Sequence, residues 1–214
     1  MKFVSRKLLS AVLVAASLSI ALSACVPLMM GGAVMGSLIA TDRRTSGAQL
    51  EDEGIELRAA SRIRDNLGER GHVNVNSYNR RVLLTGEVPS LQDKQLVEQI
   101  VTRVENVQSV VNELAVLGNA TLTQRSSDIL VSGRVKAGLV DAKDLFANAF
   151  KVTSERGTIY LMGRVTQREA DRATEITRST SGVQKVVRVF EIISEDELRN
   201  LLPQPAPEPE KAKP

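Results

Sequence analysis

The sequence predicts an α+β fold made of two tandem copies of one small α/β sandwich domain. A strand-like segment, VLLTGEV at residues 82–88, returns as IYLMGRV at residues 159–165, which is 77 positions later. A second segment, ENVQSVVNELAVL at residues 105–117, returns as SGVQKVVRVFEII at residues 181–193, with a shift of 76 positions. Repeats that keep their register over several elements indicate a duplicated structural unit.

Each copy reads as helix, strand, strand, helix, strand, which predicts a mixed sheet covered by two helices. In the first copy Ile55, Ala59 and Ile63 recur every four positions, as on the buried face of a helix. Val73 and Val75 then alternate with polar residues and predict a strand. The remaining elements are a turn, the strand quoted above, a second helix and a β-rich segment, at residues 79–80, 82–88, 91–104 and 107–116.

The second copy repeats this order. Val131, Val135 and Leu139 predict its first helix, and residues 155–157 and 166–179 predict its turn and its second helix. The shift falls from 77 to 76 between the two matching segments. The second copy therefore lacks one residue, most simply in the turn that Pro89 and Ser90 form in the first.

The first 24 residues have the composition of a secretory signal peptide. Lys2, Arg6 and Lys7 precede an apolar stretch that ends in small residues and contains no acid. Without these three cations the chain keeps 25 Lys and Arg, which balance its 25 Asp and Glu. A neutral mature chain lacks the basic surface with which proteins bind nucleic-acid phosphates. We therefore expect no nucleic-acid partner.

The signal peptide ends in LSAC, residues 22–25, which resembles the bacterial lipobox, where the cysteine becomes a lipidated N-terminus. Cys25 is the only cysteine, so it has no partner for a disulfide within the chain. We expect a covalent lipid on Cys25 and no other cofactor. Val26 follows in place of Asp, which by resemblance to sorted lipoproteins favours the outer membrane.

The domain organisation follows from these patterns. The predicted segments are a signal peptide, a lipidated N-terminus with a linker, two domains and a disordered Pro-rich tail, at residues 1–24, 25–47, 48–118, 126–194 and 195–214. Residues 26–40 are apolar but shorter than the about 20 residues that cross a bilayer. The tail is Pro-rich from Pro203 onward and cannot bury a core.

Catalytic patterns are absent from the sequence. His72 is the only histidine, and we expect it in a solvated loop. No second histidine and no cysteine besides Cys25 is present to build a zinc site or a Cys-His pair. No GxSxG, Walker A or HExxH motif occurs. We therefore expect neither an enzyme nor a metal site.

Glycine-containing segments in both copies carry a resemblance to a known family. Gly86 and Gly163 each end a strand in the pattern G-x-V, and Gly182 precedes the last strand of the second copy. With the flanking helices, this order resembles the BON domain over residues 48–194. Asn106 stands where the second copy has Gly182, and asparagine tolerates left-handed backbone. We expect structural roles for all three glycines, at points where the chain turns over the sheet.

A lipobox followed by two such copies resembles the dual-BON-domain outer-membrane lipoproteins of Gram-negative bacteria. The resemblance implies a lipid-anchored, periplasm-facing protein without enzymatic activity that supports envelope integrity. It further implies binding of anionic phospholipid by the first helix of the second domain, and a role at the division site.

The residues of that helix agree with a lipid-binding role. With Val131, Val135 and Leu139 on the core face, a neighbouring face is expected to be exposed. The candidate phospholipid-binding residues are Leu130, Gly133, Arg134, Lys136, Ala137 and Asp141. An outward leucine beside cations suits a bilayer surface. The aromatic residue that the resemblance leads us to expect near Leu130 is absent. The first helix of the first domain is more charged, and we expect no outward leucine on it.

Two functions remain open at this point. In one, the second domain binds anionic phospholipid directly. In the other, the lipid anchor is the only membrane contact, and the protein is an adaptor that binds envelope-assembly proteins or another copy of itself. The sequence leaves the headgroup, the partners and the oligomeric state undetermined.

Overall fold

The computed structural model describes residues 42–118 and 120–201, which belong to one compact unit, Thr41–Pro214. In this part of the chain the helices are α1 (Ser46–Leu67), α2 (Leu91–Thr102), α3 (Leu122–Asp141), α4 (Gln167–Ser179) and α5 (Glu195–Leu201). The strands are β1 (His72–Tyr78), β2 (Arg81–Val88), β3 (Ser109–Asn112), β4 (Ala115–Val116), β5 (Lys151–Glu155), β6 (Thr158–Val165) and β7 (Lys185–Ile192). The order helix, strand, strand, helix, strand occurs twice and confirms the predicted α+β fold.

Both sheets are mixed. In the first sheet β2 pairs antiparallel with β1 and parallel with β3 and β4. In the second, β6 pairs antiparallel with β5 and parallel with β7. The helices α1 and α2 pack on one face of the first sheet, and α3 and α4 pack on one face of the second. The expected stripes at Ile55, Ala59 and Ile63, and at Val131, Val135 and Leu139, are buried in these two cores.

The residue that the second copy lacks after its second strand is Pro89. β2 ends at Val88, and Ser90 is the N-cap of α2, so Pro89 stands between the strand and the cap. β6 ends at Val165, and the N-cap Thr166 follows at once. Both caps accept a hydrogen bond from the backbone N–H three residues later, which satisfies a donor that the helix leaves unpaired.

The faces of the two sheets that the helices leave open share a third apolar cluster. It joins residues of both sheets: Tyr78, Leu83, Val111, Tyr160, Met162, Val187 and Val189. The two domains therefore pack sheet against sheet. Each repeat is small for an independent core, and this contact adds apolar burial to both.

The last residues of the predicted linker are ordered. α1 begins at Ser46, and its N-cap Thr45 accepts a hydrogen bond from the N–H of Ala48 at 3.1 Å. Arg43 is buried and forms a bidentate ion pair with Glu169 of α4, at 2.6 and 2.7 Å. Residues 42–47 are thus part of the fold, contrary to the predicted linker at 25–47. The polar composition of this segment concealed its role because its contacts are ionic.

The first seven residues of the predicted disordered tail form a helix instead. α5 occupies Glu195–Leu201, and its Leu198 is buried. Arg164 on β6 also binds Glu197 at 2.6 Å. One apolar anchor and one ion pair therefore order a segment that composition alone assigns to the tail. The rest of that tail, the signal peptide and Cys25 lie outside the described residues.

Gly86 and Gly163 have structural roles that differ from the expected one. Both lie inside a strand, two residues before its end, and neither marks a turn. A Cβ atom at Gly86 would overlap the carbonyl oxygen of His72, and one at Gly163 would overlap that of Ala149. Only glycine allows the neighbouring backbone to approach so closely. In the described part of the chain, no helix has both the length and the apolar composition to cross a membrane.

Candidate lipid-binding site

The helix α3 is held on its inner side by the core and at its start by a capping box. The hydroxyl of Thr121 accepts a hydrogen bond from the N–H of Gln124, and the Gln124 side chain accepts one from the N–H of Thr121. This reciprocal pair satisfies two donors at the helix start. Val131, Val135 and Leu139 fix the rotation of the helix because all three are buried. The opposite side of α3 therefore faces outward.

A buried aspartate further fixes α3 to the second sheet. Asp128 accepts hydrogen bonds from the hydroxyl of Ser154 and from the N–H groups of Arg156 and Gly157, at 2.8 to 3.0 Å. The two N–H groups belong to the turn between β5 and β6, where Arg156 and Gly157 both have positive φ. Such a two-residue turn matches the twist of a hairpin. The helix and the hairpin are thus held together at the carboxylate.

The first domain contains an equivalent set of hydrogen bonds. Asp52 of α1 accepts hydrogen bonds from the hydroxyl of Ser77 and from the N–H groups of Asn79 and Arg80, at 2.6 to 2.8 Å. Our reading of the sequence missed both aspartates. The signal was present, since Asp52 and Asp128 occupy the same position in the two copies.

All six predicted lipid-binding residues are exposed: Leu130, Gly133, Arg134, Lys136, Ala137 and Asp141. The structure thus confirms the predicted inner and outer sides of α3. Contact with lipid itself stays a prediction.

The apolar part of this surface is larger than predicted. Leu122, Ile129, Leu130 and Val140 have between 61% and 81% of their surface exposed. With about 100° per residue, they fall on the side opposite the core stripe. We call this surface the outer stripe of α3; it consists of Leu122, Ile129, Leu130, Gly133, Ala137 and Val140. The sequence reading missed Leu122, Ile129 and Val140 because it searched only the face beside the core.

The charges of α3 are mainly positive. The helix carries three cations, Arg125, Arg134 and Lys136, against two carboxylates, Asp128 and Asp141. Asp128 is buried in the turn contact described above, so Asp141 is the exposed carboxylate of this helix. An apolar stripe between cations is typical of helices that lie in a membrane interface.

The helix α1 of the first domain corrects one expectation. Leu50 and Leu57 are 71% and 74% exposed, so this helix does carry outward leucines. Glu53 lies between them on the same side, with about 100° per residue. A carboxylate at that place disfavours an anionic bilayer. Arg64 lies on that side as well, so the two helices differ mainly in net charge: α1 carries five carboxylates against three arginines, and α3 carries two carboxylates against three cations.

His72 also differs from the expected solvated loop residue. It is the first residue of β1, and its Nδ1 lies 3.7 Å from Oε2 of Glu87, which is fully buried. Burial and the nearby charge of Arg125 lower the pKa of His72, which keeps the ring neutral at neutral pH. Arg156 of the second domain donates to Glu87 at 2.6 Å. Among the described residues, no three His, Cys, Asp or Glu side chains are grouped to hold a metal ion.

Comparisons with known proteins agree with the resemblance seen in the sequence. The model of the BON domain matches residues 52–118 and 127–194. The outer membrane lipoprotein DolP of Haemophilus influenzae is 36% identical, over 82% of this chain and 92% of that protein. The 21 kDa hemolysin of Actinobacillus pleuropneumoniae is 30% identical, over 71% of this chain and 79% of that protein.

The solved structure of CdsD, a structural protein of the type III secretion system of Chlamydia trachomatis, is also similar. It is 14% identical with a TM-score of 0.27, and covers 66% of this chain and 96% of CdsD. This low similarity carries no argument about function.

Proposed function

This chain belongs to the BON-domain family and is an outer-membrane lipoprotein of that family, and we propose that it binds anionic phospholipid through α3 of its second domain. In this proposal the covalent lipid on Cys25 anchors the chain, the two domains face the periplasm, and the protein supports envelope integrity at the division site. It acts by binding and catalyses no reaction.

The outer stripe of α3 is the observation that carries the proposal. Four large aliphatic side chains on one outward side are between 61% and 81% exposed within the described part of the chain. Transfer of such side chains from water to an apolar phase gains about 25 cal/mol for each Å² removed from water. Each Lys or Arg near an anionic membrane surface adds about 1 kcal/mol. On α3 both contributions favour binding to an anionic membrane.

Because the lipid on Cys25 anchors the chain, even weak binding by α3 is sufficient to keep the second domain on the membrane. Sixteen residues separate Cys25 from Asp42, a length that spans at most about 55 Å when fully extended. A tether of this length holds the domains close to the membrane that carries the lipid. Binding by α3 then becomes an intramolecular event with a high effective concentration. We expect the helix to select the lipid and the anchor to provide retention.

A vesicle assay tests the proposal. A chain that begins at Thr41 lacks the anchor and keeps the compact unit. We expect it to sediment with vesicles of phosphatidylglycerol and to stay in solution with vesicles of phosphatidylcholine. The double variant Ile129→Glu/Leu130→Glu should bind at least tenfold more weakly, because two carboxylates replace apolar contacts at the centre of the outer stripe.

The matched control is Leu50→Glu/Leu57→Glu, which makes the same change on the outward side of α1. It should bind the vesicles as the unchanged chain does. All four positions are exposed, so circular dichroism should show folded protein in both variants. The proposal fails if the unchanged chain ignores anionic vesicles, or if the α3 variant binds them equally well.

The exposed leucines of α1 favour the adaptor as the second candidate function. Leu50 and Leu57 are exposed on a helix whose five carboxylates outnumber its three arginines, and such a surface suits a protein partner better than an anionic bilayer. In that case the chain would ignore both kinds of vesicle. Leu50→Glu/Leu57→Glu in the lipidated protein would then weaken the outer-membrane barrier in cells, measured as sensitivity to detergent, while the α3 variant would not.

A further inference from the structure

The last strand of each domain lies at an edge of its sheet. In the second domain β7 pairs in parallel with β6 along its whole length, and within the described part of the chain it pairs with no other strand. The N–H of Ile193, just after β7, donates to the carbonyl of Val165 on β6. Alternate residues of a strand turn their backbone groups to the same side. The residues of β7 whose backbone groups face outward, away from β6, are therefore Val186, Arg188, Phe190 and Ile192.

In the first domain, side chains close the corresponding edge. The N–H of Glu113, between β3 and β4, bonds to β2, so the backbone of the next residue, Leu114, faces outward. Its carbonyl accepts a hydrogen bond from Nζ of Lys94 at 2.7 Å, and its N–H donates to Oδ1 of Asn112 at 3.2 Å. The amide of Asn112 in turn donates to Glu98 at 2.9 Å. An incoming strand therefore meets backbone groups that are already bonded.

The second domain lacks this closure. With the shift of 76 residues, Ala170, Thr174 and Arg188 replace the three side chains that close the first edge. The hydroxyl of Thr174 donates to the carbonyl of Ala170 within α4, and Arg188 forms an ion pair with Asp171 of α4 at 2.9 Å. Among the described residues, no side chain of α4 forms a hydrogen bond to the backbone of β7.

One outward group of β7 does have a partner. The carbonyl of Phe190 accepts a hydrogen bond from Nη1 of Arg81, in the first domain, at 3.1 Å. The outward N–H and C=O groups of Val186 and Arg188 have no hydrogen-bond partner in the part of the chain that the structure describes. The register of β7 on β6 is unbroken, so no bulge protects this edge. Open edges of this kind accept a further strand.

The charges beside this edge favour an acidic strand. Every carboxylate of α4 and β7 is in an ion pair. Arg178 near the end of α4 and Lys185 at the start of β7 are exposed, and neither forms an ion pair with a described residue. The charge left without a partner on these two elements is therefore positive, which complements a segment that carries carboxylates.

Two open cavities adjoin the edge and provide space beside it. Their volumes are about 540 and 320 Å³, and both are lined in part by Arg178. The larger extends between α4 and Arg188, and the smaller continues along Gln184, Lys185 and Val186. Side chains of an added strand can thus reach the two cations.

We propose that the outward edge of β7 binds an extended, acidic segment of a partner protein, which adds to the second sheet as a further strand. Hydrogen bonds to the backbone of Val186 and Arg188 supply affinity, and carboxylates that meet Arg178 and Lys185 supply preference. A second copy of this chain is a poorer occupant, because its own β7 edge brings the same cations.

This surface is separate from the proposed membrane contact. α3 packs against β5, whereas α4 packs against β7, and β5 and β7 are the opposite edges of the second sheet. A partner strand on β7 and a membrane on the outer stripe of α3 can therefore be bound together. The edge gives the lipid-anchored protein a means of holding a second protein.

Amide hydrogen exchange tests whether the edge is open. In the chain from Thr41 onward, the N–H groups of Val186 and Arg188 should exchange about tenfold faster than those of Val187 and Val189, which bond to β6. Slow exchange at all four positions overturns the proposal. If exchange then becomes fast in a chain that ends at Leu201, the occupant is the chain's own C-terminal segment. If the protein sediments as a dimer, the occupant is a second copy.

Synthetic strands test the chemistry of the partner. The probes are two capped peptides of equal length, one alternating valine with glutamate and the other alternating valine with lysine. We expect the acidic peptide to slow exchange at Val186 and Arg188 about tenfold, and the basic peptide to slow it less than about twofold. An acidic peptide without effect, or equal effects of both peptides, contradicts the proposal.

Charge reversal locates the binding of the acidic peptide. Arg178→Glu/Lys185→Glu should weaken it about tenfold and should allow the basic peptide to bind. The control Arg64→Glu/Arg103→Glu makes the same change at exposed first-domain positions that form no ion pair with a described residue, and should change affinity less than about twofold.

The substituted side chains are all exposed, so circular dichroism should show folded protein for both variants. Equal losses in the two variants would overturn the proposal, because net charge would then explain the effect. The peptide measurements contain no membrane, so the edge and the proposed vesicle binding succeed or fail separately.

Discussion

Gly86 and Gly163 show how single residues allow two segments of backbone to lie close together. The strand on which each lies passes so close to a neighbouring carbonyl that a methyl group has no room. At Gly86 the φ of 109° adds backbone strain for any other residue. The sequence predicted structural roles for these glycines. Their position inside the strand could not be predicted, because the neighbouring carbonyls belong to His72 and Ala149, which pattern alone does not bring near.

Alanine substitution distinguishes the effect of close backbone contact at a glycine from the general effect of replacing glycine by alanine in a helix or strand. We expect Gly86→Ala to lower the free energy of unfolding by roughly 2–4 kcal/mol, since backbone must move to admit the Cβ. The control is Gly133→Ala on the exposed side of α3, where a Cβ meets no atom within 4 Å. It should raise stability by about 0.5–1 kcal/mol. Urea unfolding measures both, and equal stabilities for the two variants would refute the close-approach explanation.

At the scale of elements, one carboxylate in each copy joins the first helix to the hairpin. Asp52 is buried, which opposes its ionisation, but hydrogen bonds from Ser77, from the N–H of Arg80 and from Arg44 outweigh burial and lower its pKa. A lowered pKa stabilises the folded state at every pH above the usual Asp value of 3.8. This contribution is lost as the pH falls below 3.8 towards the pKa of the folded state.

The variant Asp52→Asn keeps the shape of the side chain and removes its charge. We expect it to cost about 2 kcal/mol at pH 7, since charge-assisted hydrogen bonds become weaker neutral ones. The cost should shrink below pH 4, where the unchanged protein loses the same contribution. Urea unfolding at a series of pH values measures this, and a cost that does not depend on pH would contradict the role of the charge.

Some helices could be predicted from the apolar periodicity of the sequence and others could not. Apolar periodicity located α2, α3 and α4 because each has a stripe against its sheet. It did not locate the start of α1, because the first turns of that helix are held by polar groups such as Thr45 and Asp52. It missed α5, which depends on one buried residue, Leu198. A single buried residue produces no periodic pattern, so the sequence carried no sign of this helix and the segment was wrongly predicted to be disordered.

At the scale of the whole molecule, the two domains pack through the sheet faces that the helices leave free. Adjacent apolar residues on β2 and β6, such as Leu83 beside Leu84 and Met162 beside Leu161, bury both faces of each sheet. Such runs are typical of strands covered on both sides. The sequence therefore contained this signal. The bidentate pair of Arg43 with Glu169 was not predictable, since the residues are far apart in the chain.

The net charges of the two first helices also bear on the proposed membrane contact. α1 and α3 both have outward leucines, yet α3 carries three cations against two carboxylates, whereas α1 carries three arginines against five carboxylates. In our proposal, this difference in net charge makes α3 rather than α1 the membrane-binding helix.

A single tryptophan tests this central claim most directly, because the chain contains none. Leu130→Trp and Leu57→Trp each place one fluorescent residue at an exposed position, on α3 and on α1. With phosphatidylglycerol vesicles, we expect the emission of Leu130→Trp to shift to shorter wavelength and to be quenched by brominated acyl chains. The emission of Leu57→Trp should stay unchanged. No shift at position 130, or an equal shift at position 57, would contradict membrane binding by the second domain.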